Sequence, residues 1–456
     1  MTMCRADWQL GLLLLVITVP VQSETVVLDM RERASVIDGW ISERIDTVLP
    51  ELMQRSGIDM WLIIGSEYNE DPVLETMLPA TWLSARRRTI LLINQPANDE
   101  PLETLAIARY DVGTRFRRTW DRELQPDQWQ ALVDLVVTRD PERIGINVSP
   151  VFALADGLSH GEYEQLVAAL PLEYRQRLVP ATDLAIGWLE TRTPAEMAVY
   201  PQIVRIAHEI IAHGLSEAVI QPGVTTTEDL AWWYRDRIRA RGLTAWFHPS
   251  VTVQRAQQAD GGHDSGVLAG IHSVDVITPG DLLHVDFGIT YLRLNTDTQQ
   301  HAYVLRADET DAPASLQQAL AIGNRLQDIL TGNFKAHRSG NEILALSLTQ
   351  AADEGIEASI YTHPIGYHGH AAGPTIGLWD QQEGVPGRGD YPLYPNTAHS
   401  IELYVAASIP EWNRSIRIKL EEDVFFDGST TRYLDGRQTR LLLIPRPAAG
   451  TAKIAR

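Results

Sequence analysis

Cysteine is almost missing from this chain: Cys4 is the only one in 456 residues. That excludes a disulfide framework, thiolate catalysis and cysteine-type zinc sites together. Any metal must be held by His, Asp and Glu. A Lys/Arg-rich stripe is also missing, and the formal net charge is −20, so nucleic acid is not expected as a partner. The acidity favours solubility and says little about fold. Long apolar runs are absent as well. The one that stands out, Leu10 to Val21, covers 12 residues, whereas a spanning helix needs about 20. No internal repeat is evident.

The short run has the layout of an export signal. Arg5 precedes it, and Val21-Gln22-Ser23 offers small residues at a cleavage point before Glu24. Residues 1–23 are expected to be a cleaved signal peptide, leaving a periplasmic or secreted chain with no stable membrane insertion. An uncleaved anchor is the alternative. Cys4 sits in no convincing lipobox and would be removed with the signal. The length points to two domains of ordinary size. A composition 44% hydrophobic and 21% charged is that of a soluble globular protein.

From Ser35 to Leu189 helical and strand-like stretches alternate. Asp38 to Ser56 reads as a helix. Met60–Ile64, Thr89–Ile93 and Arg143–Asn147 are short apolar runs suited to buried strands. This half, 24–190, is expected to be an α/β domain. A boundary falls near Thr191. Thr193-Pro-Ala-Glu196 is a helix start, with a hydroxyl cap, Pro in the first turn and Glu three residues on. That helix should run to about Val219. Thr225-Thr-Thr-Glu228 repeats the device, and two more helices are expected near Pro313–Asn333 and Gly340–Gly355. Strand-like runs lie at Leu282–Tyr291, Gln300–Arg306, His399–Ala406 and Ile416–Phe426. The half 191–450 is therefore expected to be α+β.

The chemistry concentrates in that second half. Asp286-Phe-Gly288 ends an apolar strand, and Asp297 follows eleven residues later, after a turn. His363-Pro-Ile-Gly-Tyr-His-Gly-His370 packs three histidines into eight residues among Gly and Pro, a composition hard to explain as core packing. Imidazole is the commonest neutral metal ligand and the usual proton shuttle near pH 7. Glu402 and Glu421 each sit inside a strand-like run, where a carboxylate is unfavourable unless something compensates its burial. A cation does so.

In this order, Asp, Asp, His, Glu, Glu on strands resembles the pita-bread metallopeptidase family, which includes aminopeptidase P, prolidase and methionine aminopeptidase. The match is specific at Asp286-x-Gly288 with Asp297, at His363-x-Ile-Gly366 with His370, and at Leu420-Glu421-Glu-Asp-Val424. It extends over about Thr191 to Pro445. More loosely, Leu49-Pro-Glu-Leu-Met-Gln-Arg-Ser-Gly-Ile-Asp59 resembles the creatinase/prolidase N-terminal domain. The resemblance implies a pita-bread catalytic domain with a binuclear site on Asp286, Asp297, His363, Glu402 and Glu421. Creatinase shares the fold but lacks the metals and several ligands, whereas all five positions are filled here. Four carboxylates and one imidazole form a hard, oxygen-rich site, suited to Mn²⁺ first and to Co²⁺ or Zn²⁺ as alternatives. Glu402 is expected to act as general base. By resemblance His370 steadies the tetrahedral intermediate.

Some positions depart from the family. Its further substrate-contacting histidine before the first Asp has His248, His263 and His272 as candidates, with His272 the nearest local match. The family's Thr-Arg after the second Asp is Thr298-Gln299-Gln300 here. The stretch from Gly373 to Pro395 is long and rich in Gly and Pro. Elsewhere, Gly157-Leu-Ser-His-Gly161 fits a nucleophile-elbow pattern without its strand and helix context and reads better as a helix start. Trp232, Trp233 and Tyr234 read as core or domain-interface residues. The expected activity is metal-dependent hydrolysis of a peptide, of Xaa-Pro type, by a homodimer. A non-peptide amide hydrolase and a metal-binding protein without catalysis are the rivals.

Overall fold

The computed structural model describes residues 25–96, 100–256 and 274–445. The expected signal segment, His263 and His272 lie outside them. Among the described residues no helix is long and apolar enough to cross a membrane.

The first half is built on a six-stranded mixed sheet. Its order is Arg117–Arg118, Glu103–Ile107, Arg88–Asn94, Met60–Ser66, Ile144–Ile146, Leu178–Pro180. Both faces are covered, as the unbroken apolar runs require. Along Met60–Ser66, Trp61 and Ile63 join one buried cluster while Met60, Leu62 and Ile64 join the other. The helix Met30–Ser56 starts two turns earlier than Asp38. Asp29 and Glu32 form a capping box there, and Gly57 closes the far end at φ 61°, a conformation that suits glycine. The Gly157–Gly161 stretch is a helix start, with Ser159 capping His160–Ala169.

The second half repeats one order of elements twice. Helices Pro194–Gly214 and Thr227–Ala240 pack on a four-stranded sheet ordered Leu442–Ile444, Thr298–Val304, Leu282–Phe287, Ser250–Gln254. Helices Ala314–Gly332 and Gly340–Asp353 then pack on a sheet whose main strands are Glu357–Pro364, Thr397–Ile409, Arg414–Leu420 and Asp423–Phe426. The repetition is carried by element order and not by residue identity. Thr193 and Glu196 make the expected capping box, although that helix stops at Gly214. The second device is shifted by one residue: Thr226 caps with Asp229, not Thr225 with Glu228. Of the aromatic triplet, Tyr234 is buried but Trp232 is 54% exposed, because consecutive helical residues point about 100° apart.

The halves meet through a buried charge cluster. Arg44 of the first helix pairs with Glu196 at 3.1 Å, both fully buried. The Tyr367 hydroxyl also donates to Glu196, at 2.8 Å. The Arg44 and Arg192 guanidinium groups lie over the Tyr367 ring. Tyr367 belongs to the histidine-rich segment, so the first half helps hold that segment in place.

Candidate metal centre

Each candidate ligand sits where a strand of one sheet faces the other sheet. Asp286 is near the end of Leu282–Phe287, and Asp297 immediately precedes Thr298–Val304. The expected continuous strand to Tyr291 is broken between them. Thr290–Tyr291 pairs with Leu294–Asn295 through a tight hairpin whose two central residues, Leu292 and Arg293, have φ 54° and 66°. A type I′ two-residue hairpin needs positive φ at both positions. Here Leu292 is buried and Arg293 donates to Leu78 O at 2.8 Å, contacts that offset the strain. The hairpin returns Asp297 beside Asp286. His363 closes the strand Glu357–Pro364, and Glu402 lies within Thr397–Ile409. The run Ile416–Phe426 is interrupted at Glu421-Glu422, and the break lets Glu421 turn toward the other sheet, where its backbone accepts from Gln299 at 2.9 Å.

These breaks bring donors together from five segments. Ligand atoms of Asp286, Asp297 and Glu421 lie within 4.8 Å of one another, as do those of His363, Glu402 and Glu421, and those of Asp297, His363 and His370. The His363 Nδ1 lies 3.0 Å from Pro364 O. Donation there leaves Nε2 with its lone pair facing Glu421 at 3.5 Å and Asp297 at 3.8 Å. That is the tautomer a metal ligand needs. His363 Nε2, Asp286 Oδ1 and Asp297 Oδ1 are buried with no hydrogen-bond partner among the described residues. Burial, and next the negative charge of Glu421, raise the carboxyls of Asp286, Asp297 and Glu402 well above the usual range. Buried like charges with orphaned atoms are costly unless a cation sits among them. The donor set fits hard divalent ions.

Around these donors is a shell that sequence reasoning missed. Asn295 to His301 is a run of seven polar residues, each less than a tenth exposed. That such a polar run lies in a strand pattern was the available signal. Gln299 Nε2 donates to Glu402 at 2.9 Å and to Glu421 at 2.8 Å, while its carbonyl end meets His284 Nε2 at 2.8 Å. Ser400 Oγ lies 2.8 Å from Glu421 Oε1. Asp423 accepts from the Asp297 backbone N–H at 3.2 Å.

Residues 202–426 match metallopeptidase family M24. The chain belongs to this family. Its M24 domain has the pita-bread fold expected from the motif order, behind an α/β N-terminal domain. The chain is similar in structure to X-Pro aminopeptidase from Thermotoga maritima MSB8, at 18% identity and TM-score 0.60, covering 86% of this chain and 99% of that one. It is similar to Xaa-Pro dipeptidase from Bacillus anthracis, at 18% identity and TM-score 0.56, with 91% and 100% covered. Prolidase from Pyrococcus horikoshii OT3 gives 14% identity and TM-score 0.54, with 89% and 99% covered. At such identities the likeness shows the fold. No curated protein sequence matches.

In this M24 domain His370 is the most open of the site's histidines. Its ring lies 4.6 Å from that of His363 and 5.3 Å from that of Trp246. Of the three further candidate histidines only His248 lies in a described segment. It is exposed and packs on Trp232 at 4.9 Å. The stretch Gly373–Pro395 reaches the strand that carries His363: the Thr362 and Ile376 backbones exchange hydrogen bonds at 3.0 and 2.8 Å.

Proposed function

We propose that the chain is an exported, binuclear metal-dependent peptidase of the aminopeptidase P/prolidase kind, acting on peptides with proline in second position. The observation that carries this is the convergence of Asp286, Asp297, His363, Glu402 and Glu421 with three of their buried atoms unpartnered. Two divalent ions held there, manganese by preference and cobalt or zinc as alternatives, supply Lewis acidity and lower the pKa of a water. The residues supply the rest. Glu402 takes the proton of the attacking water. His370, open and beside His363, donates to the carbonyl oxygen as negative charge develops. Gln299 keeps Glu402 and Glu421 turned toward the centre. We further propose cleavage after Ser23, a homodimer, and a domain division at 24–190 and 191–450.

The rival reading is a non-peptide amide hydrolase on the same centre. One experiment tests both. The chain is stripped with chelator, reloaded with Mn²⁺, and assayed on Xaa-Pro peptides, other dipeptides and simple amides. Metal-dependent cleavage of Xaa-Pro bonds above all others is expected. Cleavage of amides alone selects the second reading. Metal uptake without any hydrolysis leaves a metal-binding protein.

A further inference from the structure

The sequence shows no basic stripe, yet the fold assembles a basic pocket at one end of the N-terminal sheet. The register explains how. Ser66 pairs with Arg88 across one antiparallel ladder, and Ile90 pairs with Ile107 across the next. The start of Arg88–Asn94 and the residues after Ile107 therefore meet at one end of the sheet. The stretch following Arg118 and the start of helix Gln128–Arg139 close the pocket. A cavity of about 520 Å³ results, lined by Arg87, Arg88, Arg109, Arg122, Trp120 and Asp127 among others. That volume is within the range of small-molecule sites, roughly 300–1,000 Å³.

Two of the four arginine charges of this pocket, those of Arg109 and Arg122, have no partner among the described residues. Arg88 is half-buried and fixed. Its Nε donates to Gln128 Oε1 at 2.9 Å, its Nη1 to Gln165 Oε1 at 2.8 Å, and its guanidinium lies 4.4 Å from the Trp129 ring centre. All three of these contacts are neutral, while the Glu162 and Asp127 carboxylates act on its charge from further off. Arg109 and Arg122 are exposed and have no hydrogen-bond or ion-pair partner among the described residues. Arg87 pairs only with Glu67, at 3.2 Å and with its own side chain 74% exposed, a contact worth little in water. Asp127 is the sole acid of the lining, and its carboxylate caps the helix by accepting from Trp129 N and Gln130 N. In a chain of net charge −20, four gathered guanidinium groups, two of them unpaired among the described residues, oppose the overall balance.

We propose that this pocket binds a small organic anion through carboxylate or phosphate oxygens, as a site separate from the metal centre. Guanidinium groups supply planar forks that match both oxyanions. Arg88, already oriented by neutral amides, serves as the fixed point, and Arg109 and Arg122 close from the rim.

The full mature chain is titrated calorimetrically with inorganic pyrophosphate and, separately, with citrate, at two salt concentrations. Saturable binding of one ion per chain by at least one probe is expected, weaker at the higher salt because exposed charges are screened. Which probe binds tells phosphate from carboxylate. The double variant Arg109→Ser, Arg122→Ser should weaken that binding about 10-fold or more, from the loss of charge-assisted hydrogen bonds. Arg117→Ser, Arg118→Ser, on the neighbouring edge strand and outside the lining, should leave it unchanged. All four side chains are exposed, so both variants should fold, which circular dichroism checks. No saturable binding by either probe overturns the proposal, as does equal weakening in both variants. A change in oligomeric state of the Arg109, Arg122 variant without anion binding also overturns it, and makes the face an interface between copies.

Discussion

Replacing Gln299 by Leu should weaken metal binding without unfolding the chain. The side chains have similar volume, so the Thr298–Val304 strand keeps its packing. What is lost is specific: two N–H donations, at 2.9 Å to Glu402 and 2.8 Å to Glu421, and the acceptor for His284. A hydrogen bond to a charged group is worth about 1.5–3 kcal/mol, but bound ions also orient both carboxylates, so the two losses should not add in full. Removal of such outer partners typically costs about 10–100-fold in metal affinity or activity, equivalent to roughly 1.4–2.8 kcal/mol. The expected result is a metal dissociation constant raised by that factor. Competition titration with a chromophoric chelator measures it, with thermal unfolding as the check on folding. Gln299→Asn, one methylene short, should fall between parent and Leu. A folded Leu variant with affinity within about twofold of the parent would refute the argument, since Glu402 and Glu421 would then be oriented without help.

Other outcomes follow from the same structure. His370→Ala should keep its metal and lose about 10²–10³ in kcat, whereas His363→Ala should lose metal affinity as well; metal analysis with peptide turnover separates them, and the reverse pattern means the two roles are exchanged. Burial alone would lower the His208 pKa, but the Glu422 and Asp435 carboxylates raise it to about 10 from 6.5. The folded state holds that proton more tightly, so the stabilisation is complete below about pH 6.5 and is lost as pH rises through about 10. His208→Gln should therefore cost about 3–5 kcal/mol at neutral pH, with the gap to the parent closing near pH 10; a pH-independent gap in denaturant unfolding would contradict the charge argument. N-terminal sequencing of the exported protein should begin at Glu24, and a chain beginning at Met1 rules the cleavage out.

The candidate metal ligands were legible because each carries a type and a spacing. Asp286 ends an apolar run, Glu402 and Glu421 sit inside strand-like runs, His363 opens a histidine-rich segment, and the order of these four with Asp297 is shared with a known family. Gln299 stood out only as a departure from the family's Thr-Arg, within a polar run, and neither mark told what it would face. An amide suits many settings, and only the bridge between Gln299 and Glu421 reveals that it faces two carboxylates. The strand break at Glu421 was hidden because the apolar pattern resumes at Val424 with unchanged parity. The first turns of helix Met30–Ser56 were missed since they are largely exposed and lack apolar periodicity, although the Asp29–Glu32 capping box was present. The arginine pocket was invisible because its members come from separate segments that only the sheet register unites.

Metal stoichiometry decides whether the five converging donors hold a binuclear centre. The mature chain, equilibrated with Mn²⁺ and dialysed against metal-free buffer at neutral pH, is analysed for metal by mass spectrometry against protein concentration from amino-acid analysis. Close to two ions per chain are expected, as two-metal sites of this type require, with a marked loss on Asp286→Asn. A folded chain that retains no metal, or an Asp286→Asn variant that retains as much as the parent, would contradict the binuclear reading.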